Sequence, residues 1–189
     1  MHLSDDDKRE LLRIARRSIE SAVRGHGIPI PKTTSQVLQE PCGAFVTITE
    51  RGQLRGCIGY TEVAKPLAEV VSEVATKAAL DDPRFPSVSE DELEQISLDI
   101  SVLSPLEKIS DVEKIDVGKH GLLLEHGYFR GLLLPQVALE YNWDRETFLQ
   151  NTARKAGLPS DAWKDKNTTL YSFTAEVFSE EDFKTAHDT

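Results

Sequence analysis

The chain has 189 residues, with 22 Lys and Arg against 32 Asp and Glu and a formal net charge of −10. That length supports one domain, or two small lobes, with a core that needs neither disulfides nor metal. The acid excess argues against a protein that wraps duplex nucleic acid through bulk charge, because neutralising phosphates needs a basic face.

No apolar run approaches a membrane span, and the acidic start Ser4-Asp5-Asp6-Asp7 is unlike a secretion signal. The two cysteines, Cys42 and Cys57, stand in no zinc-binding spacing and fit a reducing compartment. A soluble, cytoplasmic protein without a disulfide framework or structural zinc is expected.

Ser4 before three acids predicts an N-cap, followed by a first helix with Leu11, Leu12, Ala15, Ile19, Ala22 and Val23 at helical spacing and a stop at Gly25 and Gly27. Residues 44–49 are β-branched and aromatic, and a turn at Arg51-Gly52 leads into a return from Leu54 to Tyr60, which reads as a hairpin. Pro66 fits the first turn of a second helix, carrying Leu67, Val70, Val71, Val74, Ala75 and Ala78 and ending near Asp81. Pro83 and Pro86 make the next segment a stiff loop.

Ile96, Leu98, Ile100 and Val102 alternate with polar residues as a strand with one buried face. A second hairpin runs from Gly121 through a turn at His126-Gly127 to Leu134, and its strands read as buried on both faces. Asp144 caps a helix with Phe148, Leu149, Thr152 and Ala156, which Gly157-Leu158-Pro159 closes. Thr168 to Phe178 is one β-rich run before a polar tail. Hairpins and helices interleave without a βαβ rhythm, so the class is α+β, with mainly antiparallel sheets and packed helices.

The most unusual local sequence is Leu54-Arg55-Gly56-Cys57-Ile58-Gly59, because two glycines in a strand point to a bulge or a close backbone approach. A two-residue turn at Arg51-Gly52 places Cys57 opposite Val46 and Arg55 opposite Ile48, with Arg55 and Cys57 on one face. There the guanidinium would favour the thiolate, the form needed by a nucleophile at neutral pH. The competing reading is a buried cysteine in a tight hairpin with Arg55 at the sheet edge.

His120, at a strand entrance, is the histidine best placed to enter a cleft, and with Cys57 it would suit acyl transfer or thiol chemistry. His126 reads as surface, and His2 and His187 as solvated termini. No histidine pair has metal-site spacing, and the common nucleotide-binding motifs are absent. In Asp82-Pro83-Arg84 the arginine either faces an anion or pairs with Asp82 to tie the loop to its own helix. Leu134-Pro135-Gln136 reads as a strand stop that leaves Gln136 near the strand end.

The run Leu54–Gly59 resembles the hallmark of the AMMECR domain family. The likeness extends to Gly43–Thr47, Asp82–Pro86, Ser101–Ser104, Gly118–Leu122, Leu133–Ala138, Trp143-Asp144 and Lys155–Leu158, nearly the whole chain. The resemblance implies a single domain of two unequal lobes with a cleft between them, whose boundary the sequence does not show. It also implies either an enzyme or a regulatory factor, and it nominates a Memo-like protein and a radical-SAM protein as partners. It marks Arg55, Cys57, Asp82, Arg84, His120 and Gln136 as characteristic polar positions. Tyr60 and Ala153 stand where relatives carry threonine and cysteine, so a role for either group does not carry over. The expected function is a cysteine-dependent enzyme, or a component of such a three-part system, in which Cys57, Arg55 and His120 act on a small anionic substrate held by Arg84, Asp82 and Gln136. The alternative is a non-catalytic regulatory or adaptor module. No cofactor is assigned.

Overall fold

The computed structural model describes residues 2–61 and 64–183; His187 and the rest of the polar tail from 184 onward lie outside the described residues. In chain order the elements are α1 (Asp5–Val23), β1 (Ala44–Glu50), β2 (Gln53–Tyr60), α2 (Leu67–Leu80), β3 (Ile96–Leu103), β4 (Glu107–Lys108), β5 (Gly121–His126), β6 (Phe129–Leu133), α3 (Pro135–Glu140), α4 (Arg145–Lys155), β7 (Thr169–Phe173) and β8 (Ala175–Ser179). They form two compact units. The first runs to Leu103 and resumes at Glu176, and the second is the continuous segment Ser104–Ala175.

The first unit sets a sheet of order β2-β1-β3-β8 against α1 and α2. α1 starts where the sequence places it: Ser4 Oγ accepts from Asp7 N at 3.2 Å and the Asp7 carboxylate accepts from Ser4 N at 3.0 Å, a reciprocal capping box. Leu11, Leu12, Ala15 and Ile19 of α1 and the predicted apolar positions of α2 are buried together with Val46, Ile48, Leu98 and Ile100, while Ala22 and Val23 at the end of α1 are half-buried. Antiparallel pairing links β1 to β2 and to β3.

The β1–β2 turn has positive φ at Arg51 and Gly52, the conformation whose twist matches a two-residue hairpin. Its first pairs, Glu50 with Gln53 and Thr49 with Leu54, follow that turn. A bulge then inserts Arg55, so Gly56 faces Ile48 and Cys57 faces Thr47. The expected pairings of Cys57 with Val46 and Arg55 with Ile48 are therefore displaced by one residue.

The second unit holds a sheet of order β4-β7-β5-β6, with antiparallel pairing throughout, and a core of its own around Leu122, Leu124, Phe148, Leu149 and Ala153. Four expectations change here. β5 is buried, but β6 is an edge strand with Phe129 52% exposed, so the hairpin is not covered on both faces. The tight turn is Gly127-Tyr128, since His126 pairs with Phe129. Pro135 does more than stop a strand: it opens α3 at the helix position where its missing N–H costs nothing. The run from Thr168 to Phe178 divides at Thr174, with β7 in one sheet and β8 in the other. Among the described residues no helix is long and apolar enough to cross a membrane.

Candidate functional site

β2 is an edge strand of the first sheet and lies close against α2, and its two glycines are there for space. A Cβ at Gly56 would sit 2.1 Å from the Ala78 carbonyl oxygen, inside α2, and one at Gly59 would sit 2.2 Å from Phe45 Cγ. Arg55, the bulge residue, is committed elsewhere. Its Nε and Nη2 grip both Glu92 oxygens at 2.6 and 3.1 Å, Nη1 donates to Pro86 O at 2.7 Å, and Nη2 also donates to Ser87 O at 3.2 Å. The Arg55 guanidinium holds the Glu92 carboxyl down to about 2. The expected role of Arg55 as activator of Cys57 gives way to a holding role. The bulge breaks the alternation that put both on one face, and a carboxylate offsets the charge.

Cys57 is fixed from both sides. Its direct cross-strand partner Thr47 donates from Oγ1 to Sγ at 3.2 Å. On the free edge its N–H donates to Asp82 Oδ2 at 2.9 Å, and its carbonyl accepts from Arg84 Nη2 at 3.3 Å. Asp82 is buried, its side chain 2% exposed. Its carboxylate takes Arg84 Nε at 2.9 Å and Nη2 at 2.7 Å and the Arg84 backbone N–H at 3.1 Å. Arg84 therefore holds the Asp82 carboxyl far below the usual carboxylate range. The Asp82–Arg84 ion pair is present, and its bonds to the Cys57 backbone tie the loop to β2 rather than to its own helix. It also covers part of an unpaired strand edge. Arg84 keeps a side chain 54% exposed, and its guanidinium carbon stands 5.5 Å from the Phe85 ring centre.

Two features of this unit escaped the sequence reading. Thr47 pairs with Cys57 on one side and Asp99 on the other, so thiol, hydroxyl and carboxyl form one row across β2, β1 and β3 on the face away from the core. Burial pushes the Asp99 carboxyl up, and Asp182, Glu180 and Glu181 add to the shift. Near the end of β2, Lys65 and Tyr60 donate to Glu73 at 2.6 and 2.7 Å, and Lys77 donates to Tyr60 Oη at 2.7 Å. Those donors, Lys65 first, hold Glu73 down to about 2. The Glu73/Lys77 spacing of four residues is the only part of this network visible in the sequence.

Cys42 is the structural cysteine: it is buried, donates to Leu103 O at 2.9 Å, and burial pushes its thiol up. Both cysteines are free and Cys57 is partly exposed. His120 and Gln136 belong to the second unit. His120 Nδ1 accepts from Asp116 N at 3.0 Å, which leaves Nε2 to carry the proton of the neutral ring. Gln136 lies half-buried in the first turn of α3. His126 is half-buried, with Nδ1 2.9 Å from Thr168 Oγ1; that hydroxyl gives its own proton to Ala162 O, so the ring is the donor. Among the described residues no three His, Cys, Asp or Glu side chains converge as a metal site requires.

An α+β protein of two antiparallel four-stranded sheets, with a partly exposed cysteine in a glycine-flanked edge strand, is the class that fold and site define. The AMMECR1 family model matches residues 12–178, and the chain belongs to that family. A protein of Methanothermobacter thermautotrophicus is 46% identical over 187 residues, covering 95% of this chain and 97% of its own length. A protein of Thermococcus onnurineus is 48% identical over 182 residues, covering 90% and 89%. The crystal structure of uncharacterized protein PH0010 from Pyrococcus horikoshii is similar at a TM-score of 0.89 and 44% identity, over 95% of this chain and 94% of that one.

Proposed function

We propose that Cys57 is the reacting group of a thiol-dependent transfer enzyme whose substrate is small and anionic. The observation that carries this reading is the sulfur itself. Arg55 and the Cys57 backbone N–H are spent on holding the chain, whereas Cys57 is partly exposed and, among the described residues, its Sγ accepts from the Thr47 hydroxyl. Sulfur attack on an acyl carbon forms the S–C bond and breaks the bond to the leaving group, which departs with the thiol proton. Arg84 supplies the cation. Asp82 fixes its Nε and Nη2, and the half-exposed remainder of the guanidinium faces an incoming anion. Thr47 orients the sulfur, and Arg55 holds the bulge. The partners that the resemblance nominates, a Memo-like and a radical-SAM protein, supply the setting for a reconstituted assay.

The second reading, a non-catalytic regulatory module, is favoured by one observation: the donors of Arg55 and the carboxylate of Asp82 all serve to anchor β2. Alkylation of Cys57 in a Cys42→Ser background separates the two. Rapid reaction in the folded protein, with Cys57→Ser abolishing activity in the reconstituted system, supports the enzyme. Reaction only after denaturation, or full activity of Cys57→Ser, overturns it and leaves the module.

A further inference from the structure

α1 buries Leu11, Leu12, Ala15, Ser18 and Ile19 and leaves Arg9, Arg13 and Arg17 exposed. Four residues are just over one helical turn, so these guanidiniums form a row along one side of α1 that climbs about 6 Å per step. Their helix neighbours Lys8 and Arg16 are paired with Glu176 and Glu180. Among the described residues no carboxylate closes on Arg9, Arg13 or Arg17. Arg9 rests instead over the Phe183 ring, 4.9 Å from its centre.

The row runs between two hollows. One, of about 510 Å³, is lined by Arg9, Arg13 and Arg17 with Leu12 and Phe183. The other, of about 260 Å³, adds Pro29, Ile30 and Lys32 to Arg13 and Arg17. Ile30 is 82% exposed. Charge in a row, with apolar footholds beside it, is the arrangement that seats an amphipathic helix.

We propose that this face of α1 docks an acidic amphipathic helix of a partner protein, with carboxylates at every fourth residue meeting Arg9, Arg13 and Arg17 and an apolar side chain entering the hollow beside Phe183. The match is one of period. A partner helix with Glu at every fourth position repeats its charge at the same step of about 6 Å as the arginine row. A duplex strand offers no apolar side chain for the hollow. Glu10 and Glu20 line the two hollows and interrupt the basic strip, which disfavours a continuous polyanion more than a spaced row of carboxylates. The chain's net charge of −10 adds to that discrimination. This surface is independent of Cys57.

The test is fluorescence anisotropy with the full chain and a labelled helical peptide that carries Glu at every fourth position and one Leu. Saturable binding that weakens as salt rises is expected. The double variant Arg13→Glu/Arg17→Glu should lose affinity by about tenfold or more while melting at the wild-type temperature, because both side chains are exposed. Equal binding of a permuted peptide of the same composition overturns the proposal. So does tighter binding of duplex DNA or of phosphatidylserine vesicles, or an affinity unchanged by the double variant.

Discussion

Glycine 56 shows how a single missing Cβ lets β2 lie against α2. With the Ala78 carbonyl oxygen 2.1 Å from the position of that Cβ, Gly56→Ala forces backbone apart rather than a side chain aside. It should cost about 1–3 kcal/mol in urea unfolding, and an unchanged midpoint would mean that α2 does not rest on β2. Asp82 works at the same scale by satisfying the Cys57 N–H on a free edge while pairing with Arg84. Asp82→Ala should destabilise by about 1–3 kcal/mol, since it strands those donors. Arg84→Ala should instead raise the Asp82 pKa toward its ordinary value, read from the carboxyl resonance by NMR; a carboxyl that does not move would show that the backbone N–H groups alone depress it.

Elements here are held by their ends as much as by their faces. The reciprocal bonds between Ser4 and Asp7 satisfy N–H groups at the start of α1 that have no helical acceptor. Ser4→Ala should lower stability by about 1 kcal/mol, measured as a shift in thermal midpoint without loss of helical signal in the native state. At the hairpin, the turn fixes the first pairs and the bulge at Arg55 resets the rest. The bulge is held by bonds to Pro86, Ser87 and Glu92, residues more than thirty positions away in sequence. A strand pattern counted from its turn therefore gives the correct strand and the wrong partner for Cys57.

For the whole molecule, acid is the sharpest probe of what holds the first unit. Glu73 and Glu92 are held down to about 2 by Lys65 and Arg55, against an ordinary value of 4.5, and Asp82 is lower still. The unfolded chain takes up these protons first as pH falls. Their contribution is therefore complete above about pH 4.5 and is lost progressively toward pH 2. Asp99 has the opposite sign: its raised value favours the folded state below its unfolded value and opposes it at neutral pH, so Asp99→Asn should raise the thermal midpoint at pH 7. All four carboxyls lie in the first unit. On acidification, amide exchange should accelerate in β1, β2 and β3 before β5 and α4, and uniform loss of protection would count against this account. The sequence by itself determined the α+β class, the caps at Ser4 and Asp144 and the apolar faces of α1, α2, α4 and β3, because these are local propensities and patterns repeating at 3.6 or 2 residues. Only the tertiary structure decided the register at Cys57, the commitment of Arg55 to Glu92, the Cys57–Thr47–Asp99 row and the division of the run around Thr174 between two sheets. Those depend on which distant donor meets which acceptor when the chain closes, and no periodicity within one segment encodes that.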